Sequence, residues 1–207
     1  MKFKLVIGDK IYSTWSLRPW LLLKYFNIPF TEVKIKLRDK NTKKNILKFS
    51  PSGKVPCLIY GKIKIWDSLS ICEFLAEKFK NKNLWPKNNI DKIMARNISS
   101  EMHSGFANLR KNLSMNFLGK NLKFKNNKET SAEITRAKKI IEDCLKKSKG
   151  PFMFKKFSIA DAMYAPVMFR FEIYNIKLSL TLEKYLNTLL SMKEIKLWLL
   201  EARKELK

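Results

Sequence analysis

The sequence predicts an α/β domain followed by an all-helical domain. Segments typical of strands occur only before residue 67, and after a polar break at 81–89 every apolar pattern has the three-to-four spacing of helices. With 207 residues, of which 45% are hydrophobic, the chain is long enough to form two such cores. We therefore expect domains at 1–80 and 90–207, joined by a linker at 81–89.

The first half begins with a β-α-β unit. The apolar segment from Lys4 to Gly8 predicts a buried strand. A helix is predicted from Ser16 to Phe26, with Asn27 and Pro29 marking its end. Thr31 to Leu37 alternates apolar and polar residues, which is typical of a half-exposed strand at the edge of a sheet.

A hairpin and a helix complete this half. Cys57 to Tyr60 and Ile63 to Trp66 flank Gly61, which predicts two short strands joined by a turn. Ser68 to Phe79 has the apolar spacing of a helix. With the polar segment from Asp39 to Lys48 as the second helix, the order β-α-β-α-β-β-α matches a thioredoxin-like domain.

The second half contains no segment that predicts a strand. Its apolar residues recur with helical spacing, and we expect interruptions at Gly105, at Gly150-Pro151 and at Pro166. The predicted helical segments are Ile90 to Leu118, Glu129 to Lys147, Ser158 to Tyr174 and Leu182 to Leu206.

The formal charge of +25 arises mainly from lysine and is spread along the whole chain. Lysine is less suited than arginine to bidentate contacts with phosphate or guanine, so we expect no specific nucleic-acid partner, only weak, salt-sensitive adhesion to polyanions. The sequence has no apolar run of 18 or more residues and no signal-peptide pattern. These features predict a cytoplasmic protein without a membrane partner.

The cysteines indicate neither disulfides nor a metal site. Cys57, Cys72 and Cys144 are widely spaced and form no CxxC pair, and the chain has one histidine. We expect them to be small buried side chains and expect no metal cofactor.

Two hydroxyl-containing segments precede predicted helices. Residues 12–16, with the sequence Tyr-Ser-Thr-Trp-Ser, follow the first strand, and Asp67-Ser68 follows the hairpin. Unpaired N–H groups and the macrodipole at a helix N-terminus favour an anion, including a thiolate. Both segments could also serve only as N-caps. Together they suggest a small anionic thiol ligand.

Four motifs resemble those of the cytosolic glutathione S-transferases, in the family's order and over nearly the whole chain. YSTWSLRPW resembles the serine-type active-site segment of zeta-like and related bacterial members, and SPSGKVP the loop that ends in a cis-proline. WDSLSICEFLAEKF resembles the acid-serine glutathione motif, and FSIADAMYAPVMFRF the Ser-x-x-Asp box of the central C-domain helix. The resemblance implies the glutathione S-transferase fold and an enzyme that conjugates its co-substrate glutathione to small hydrophobic electrophiles.

The resemblance also implies the site residues and the assembly. The thiol is expected to contact Ser13, with Tyr12, Thr14 and Ser16 as alternatives. Relatives are mostly homodimers through the helix after the acid-serine pair and the first long C-domain helix, and we expect the same here. Ser158 and Asp161 are expected to cap their helix. The expected glutathione contacts are Lys54 (or Lys40), Val55, cis Pro56, Asp67 and Ser68, and the expected electrophile contacts are Trp15, His103, Phe106, Arg110 and Arg170.

Three other functions stay open at this point. A zeta-like maleylacetoacetate-type cis-trans isomerase would also use glutathione, although zeta-like members have a cysteine where this chain has Trp15. A non-catalytic interaction module with the same fold would not need the ligand motifs at Val55-Pro56 and Asp67-Ser68. A polyanion binder would need neither motif and would show steep salt dependence.

Overall fold

The computed structural model describes residues 2–206 and contains a four-stranded mixed sheet. Strand β1 (Phe3–Gly8) pairs in parallel with β2 (Phe30–Ile35) and antiparallel with β3 (Cys57–Tyr60). Strand β4 (Ile63–Trp66) pairs antiparallel with β3, which gives the order β2-β1-β3-β4. Strand β2 therefore lies at an edge, as predicted.

Three helices accompany the sheet. They are α1 (Thr14–Tyr25), α2 (Thr42–Leu47) and α3 (Ser68–Lys78). Helix α1 packs against β1 and α3, and nine of its twelve residues are buried. The order of elements is the predicted β-α-β-α-β-β-α, so the first half has the expected thioredoxin-like architecture.

The second half is helical, as predicted. A short 3-10 turn at Lys80–Lys82 precedes it, and its only extended pairing in the described chain is an isolated bridge between Phe154 and Lys156. Among the described residues, no helix is both long enough and apolar enough to cross a bilayer. The helices are α4 (Asn89–Ser104), α5 (Ala107–Asn112), α6 (Lys128–Ser148), α7 (Ile159–Ile173), α8 (Leu180–Ser191) and α9 (Lys193–Lys204).

The expected interruption at Pro166 is wrong, whereas the one at Gly105 is confirmed. Gly105 separates α4 from α5, but α7 continues through Pro166. A proline inside a helix costs about 3 kcal/mol because it removes one hydrogen bond. All but one of the fifteen residues of α7 are buried, and burial of these apolar side chains outweighs that cost.

The predicted helix from Leu182 to Leu206 is two helices. Met192 has an extended backbone, with φ −60° and ψ 132°, and it separates α8 from α9. No glycine or proline marks this break in the sequence. The turn directs α9 back onto the first half of the chain, where Trp198 Nε1 donates a hydrogen bond to Lys10 O (2.9 Å).

The two halves share one hydrophobic core. Helix α1 packs against both α7 and α9, and the fully buried rings of Trp20 and Trp198 meet with centroids 5.0 Å apart. Apolar residues of the sheet and of α7 belong to the same buried cluster. The relative position of the two halves is therefore set by core packing.

The start of α7 is held by a buried capping box, as predicted. Asp161 Oδ2 accepts hydrogen bonds from Ser158 N (2.9 Å) and Ser158 Oγ (3.0 Å). Its Oδ1 accepts from Met153 N (3.0 Å) and Tyr185 Oη (2.9 Å). Burial raises the pKa of Asp161 to about 6, and these donors oppose that rise. The carboxyl group thus joins three segments of the helical half.

Replacing Asp161 by asparagine should destabilise the fold. One acceptor oxygen becomes an amide that faces buried donors, and we expect the free energy of unfolding to fall by about 2–4 kcal/mol. Urea denaturation measures the change. Asp143→Asn is the control, because in the part of the chain that the structure describes Asp143 pairs only with exposed Lys139. Equal effects of the two substitutions would contradict the proposed importance of the capping box.

Candidate active site

A cavity of about 430 Å³ lies between the sheet half and α4. Its walls come from the start of α1, the loop before β3, the junction of β4 with α3, and the end of α4. It therefore brings together seven of the predicted site residues from segments far apart in the sequence. The lining residues are Trp15, Ser52, Lys54, Val55, Pro56, Trp66, Asp67, Ser68 and His103.

The loop before β3 forms one wall. The Val55–Pro56 peptide is cis, as predicted, and Gly53 has a φ of +66°, a conformation that favours glycine. Val55 lies outside the ladder between β1 and β3, which ends at Cys57. Its backbone is thus placed to pair with an extended, peptide-like ligand. Lys54 is exposed on this wall, whereas Lys40 is exposed away from it.

The junction of β4 and α3 contributes a buried hydroxyl without a partner. Asp67 is the N-cap of α3, and its Oδ1 accepts from Leu69 N (2.9 Å) and Ser70 N (3.1 Å). Ser68 is only 2% exposed, and its Oγ has no hydrogen-bond partner among the described residues. An unpaired buried hydroxyl costs about 1–3 kcal/mol, so Ser68 is suited to a polar ligand in the cavity.

Asp67 also has an unusual backbone and a partner in the other half of the chain. Its φ of +76° is uncommon for a residue with a side chain. Its Oδ2 lies 2.9 Å from His103 Nε2 on α4. The His103 ring packs edge-on against Trp15, with centroids 5.4 Å apart, and its Nδ1 has no partner within residues 2–206. His103 thus links the two walls of the cavity.

Ser13 is the N-cap of α1 and is almost fully buried. Its Oγ accepts from Ser16 N (3.4 Å) and donates to Ser16 Oγ (2.7 Å). Ser16 Oγ also accepts from Gly8 N (3.1 Å), which connects this pair to the end of β1. Ser13 is not among the cavity-lining residues. In this arrangement its hydroxyl proton is directed toward Ser16.

The alternatives to Ser13 do not line the cavity either. Thr14 is buried, and Tyr12 is half-buried with Arg38 Cζ 3.9 Å from its ring centroid. From residues 12–16, the side chain that lines the cavity is that of Trp15. The first turn of α1 therefore places an indole ring at the cavity wall, and its polar side chains do not line the cavity.

Two guanidinium groups, those of Arg18 and Arg110, lie close to the Trp15 ring, and the charge of Arg170 lies near theirs. Arg18 Cζ is 4.1 Å and Arg110 Cζ is 5.4 Å from the ring centroid. Neither these two nor Arg170 forms a salt bridge within residues 2–206. Burial, and then the neighbouring arginines, lower the pKa of Arg18. This uncompensated positive charge favours an anion nearby.

These arginines are held by main-chain oxygens. Arg18 donates to Thr14 O (2.9 Å) and Met163 O (3.3 Å), and Arg170 donates to Leu113 O (2.8 Å) and Pro166 O (3.0 Å). Burial lowers the pKa of Arg170 to about 10. These hydrogen bonds use part of the donor capacity of the two guanidinium groups, but they do not neutralise the positive charge. The sequence could not reveal this arrangement.

Not all predicted electrophile contacts lie at the cavity. Phe106 is buried, with its ring centroid 6.5 Å from that of Tyr164. Arg110 donates to Gly105 O and Met102 O (3.4 Å), and like Phe106 it is not a lining residue. Only Trp15 and His103 of the predicted electrophile contacts line the cavity.

The cysteines are free and buried, as predicted. Burial raises the pKa of Cys57 and Cys72, and it raises that of Cys144 to about 11, so all three favour the thiol form. None lines this cavity. Cys144 faces a second cavity of about 450 Å³ between α4 and α6. Within residues 2–206, no three His, Cys, Asp or Glu side chains are grouped to hold a metal ion.

Comparison with known proteins relates the chain to one family. Residues 12–78 match the family model for the glutathione S-transferase N-terminal domain. A probable maleylacetoacetate isomerase of Caenorhabditis elegans is 26% identical over 80% of this chain and 77% of that protein. Glutathione S-transferase 1 of Dianthus caryophyllus is 36% identical over 35% of this chain and 33% of that protein.

Solved structures show the same fold over the whole chain. A glutathione transferase homologue from Burkholderia gl BGR1, with bound glutathione, superposes with a TM-score of 0.75 at 15% identity, covering 99% of both chains. A diazinon-metabolizing glutathione S-transferase of the silkworm, Bombyx mori, gives a TM-score of 0.76 at 15% identity, covering 99% of this chain and 98% of the other. Both halves thus adopt a known arrangement.

Because Ser68 Oγ has no partner within residues 2–206, we can predict how its removal changes the stability of the ligand-free protein. Ser68→Ala should leave the free energy of unfolding unchanged or raise it by up to about 1 kcal/mol, because it removes an unsatisfied buried group. Ser16→Ala should instead lower it by about 1–3 kcal/mol, because Gly8 N would lose its acceptor. Urea denaturation of both variants tests this, and marked destabilisation by Ser68→Ala would indicate a structural role for Ser68.

Proposed function

We propose that the chain, whose residues 12–78 match the glutathione S-transferase N-terminal domain, is a cytosolic glutathione S-transferase that binds glutathione in the cavity beside Ser68 and transfers the thiolate to small electrophiles. The buried hydroxyl of Ser68 carries the proposal, since it lines the cavity and has no hydrogen-bond partner among the described residues. The glutathione-bound homologue from Burkholderia gl BGR1, which has the same fold, supports glutathione as the co-substrate.

The cavity suggests how the tripeptide lies. Its γ-glutamyl carboxylate would accept from Ser68 Oγ at the N-terminus of α3, where the helix dipole favours an anion. Its amino group would meet Asp67, whose Oδ2 is paired with His103 in the free protein. The cysteinyl backbone would pair with Val55 beside Pro56, and Lys54 would meet the glycyl carboxylate. In this orientation the thiol points toward the N-terminus of α1.

The thiolate needs stabilisation at neutral pH. A free cysteine thiol has a pKa of about 8.5, and each unit of lowering requires about 1.4 kcal/mol of preferential interaction. We propose that Ser13 donates to the sulfur, which requires its hydroxyl to turn away from Ser16. The N-terminus of α1 and the uncompensated charge of Arg18 and Arg110 would add to this stabilisation.

Ser68→Ala should weaken glutathione binding. Loss of a hydrogen bond to a carboxylate is worth about 1.5–3 kcal/mol, so Kd should rise about 10- to 100-fold by isothermal titration. Ser70→Ala is the matched control, because exposed Ser70 follows on the same helix and does not line the cavity. Equal Kd values for the two variants would refute the assigned ligand position. Wild-type protein that does not bind glutathione would favour an interaction module instead.

Ser13→Ala should slow conjugation more than it weakens binding. Removing one donor to the developing anion should lower kcat about tenfold or more, while Kd for glutathione changes little. A chlorodinitrobenzene assay over a range of pH measures the effect, and the activity profile should move to higher pH. Thr14→Ala is the control. Unchanged kcat in Ser13→Ala would assign the thiolate contact to other groups at the start of α1.

A second candidate activity is a maleylacetoacetate-type cis-trans isomerisation. The Caenorhabditis elegans relative, described as a probable maleylacetoacetate isomerase, favours it over a binding function alone. The two activities differ in their use of thiol, because isomerisation releases glutathione while conjugation consumes it. Counting free thiol before and after turnover distinguishes them.

We also propose a homodimer in which α3 and α4 meet the partner. Ile90, Ile93 and Met94 recur at helical spacing on α4, and all three are exposed. A charge near +25 per subunit opposes association, so salt should strengthen the dimer.

A cytoplasmic location stays a prediction, supported by three free cysteines in the described chain. A role in detoxification is a further proposal, and the absence of a specific nucleic-acid partner stays a prediction.

Ile93→Glu should disrupt this dimer. A charge placed on the apolar face of α4 would be desolvated on association, and we expect a shift from dimer to monomer in sedimentation equilibrium. Leu200→Glu is the control, since Leu200 is similarly exposed but lies on α9. A wild-type monomer at moderate salt, or an unaffected Ile93→Glu dimer, would contradict the proposed interface.

A further inference from the structure

The loop that precedes α1 is attached to the C-terminal helix. Trp198 Nε1 on α9 donates to Lys10 O (2.9 Å), and Ile11 N donates to Glu205 Oε2 (3.2 Å) just beyond α9. Phe117 N also donates to Ile11 O (2.9 Å). Two consecutive residues of the loop are therefore held by groups that lie more than a hundred residues away in the sequence.

The Lys10 side chain is the centre of this attachment. It is only 3% exposed, which is rare for lysine unless the charge is paired. Its Nζ donates to Glu32 Oε2 (2.7 Å) and to Glu201 on α9. It also lies 4.9 Å from the Trp20 ring centroid and 5.2 Å from that of Trp198, within the range of cation–π attraction. One ammonium group thus joins β2, α1 and α9.

A tight turn connects Lys10 to the start of α1. Tyr12 N and Ser13 N both donate to Asp9 O, at 3.2 and 2.9 Å, so residues 9–13 have little freedom to move independently. Asp9 is itself fixed, because its Oδ2 accepts from Leu37 N (2.7 Å). A displacement of Lys10 would therefore be transmitted to Ser13 and to the first N–H groups of the helix.

We propose that Lys10 is a positioning residue through which α9 fixes the N-terminus of α1 relative to the glutathione thiol. This inference rests on the function proposed above. Hydrogen bonds and the helix-terminus dipole weaken steeply with small displacements, so a loosened loop would stabilise the thiolate less. The γ-glutamyl end of glutathione would meet Asp67 and Ser68, which α9 does not contact through any hydrogen bond in the described chain.

Lys10 should consequently affect the chemistry of the thiol more than the affinity for glutathione. A residue that merely stabilised the fold would lower the melting temperature and the active fraction, but the pKa of the bound thiol would not change. The apparent pKa of that thiol, from the ultraviolet difference absorbance of the thiolate, separates the two roles. The split between kcat and Kd provides a second readout.

The experiment compares Lys10→Met with Lys24→Met in the full-length protein. Lys24 Nζ also approaches the Trp20 ring, at 5.5 Å, but it forms no ion pair within residues 2–206. In Lys10→Met we expect the bound thiol pKa to rise by about one unit and kcat at neutral pH to fall about tenfold, with Kd changing less than about threefold. Lys24→Met should match the wild type.

A second pair of variants covers the case in which Lys10→Met fails to fold. Glu201→Gln combined with Glu205→Gln removes the charges that α9 and its end present to the loop, and Glu183→Gln on α8 is the control. The double variant should raise the thiol pKa and lower kcat in the same direction. A folded double variant with the wild-type thiol pKa and kcat would overturn the proposal, as would a folded Lys10→Met with those values. If wild-type protein did not bind glutathione, the function itself would be refuted.

Discussion

The burial of α1 between the sheet, α7 and α9 is the constraint on which the rest of the structure depends. Nine of its twelve residues are buried, so its direction is fixed by packing on several sides. Its N-terminus consequently opens at the junction of the two halves, where Trp15 meets His103. A helix terminus that is held in this way requires no movement of the fold to present its N–H groups.

Several groups around the cavity destabilise the free protein. Within residues 2–206 the Ser68 hydroxyl has no hydrogen-bond partner and the buried Arg18 and Arg170 have no carboxylate partner, and Asp67 has a positive φ. Such features cost about 1–3 kcal/mol each and tend to occur at functional sites. A ligand with a carboxylate, an ammonium group and a thiolate would compensate several of them at once. These groups around the cavity are therefore better explained by the binding of a ligand than by a contribution to the stability of the ligand-free fold.

Elements governed by local chemistry were predictable from the sequence. Strands β3 and β4 have their predicted bounds because Gly61, with a φ of +60°, permits the turn between two apolar segments. The uninterrupted α7 and the break at Met192 were not predictable, because burial overrides the effect of Pro166 and the turn at Met192 follows from packing of Trp198.

The candidate site was predictable in composition but not in arrangement. Val55, Pro56, Asp67 and Ser68 meet at one cavity, as the motifs suggested. The pairing of Asp67 with His103 depends on how α4 packs against α3, and the pairing of Lys10 with Glu201 joins residues 191 positions apart. No short-range pattern in the sequence predicts either contact. Ser13 shows the same limit, since its bond to Ser16 Oγ depends on the detailed geometry of the first turn.

A crystal structure of the full-length protein with glutathione is the most direct measurement. We expect the γ-glutamyl carboxylate to lie within hydrogen-bonding distance of Ser68 Oγ, with the sulfur at the N-terminus of α1 near Ser13 and Trp15. Glutathione bound elsewhere, or bound with its sulfur directed away from α1, would contradict the proposed binding mode.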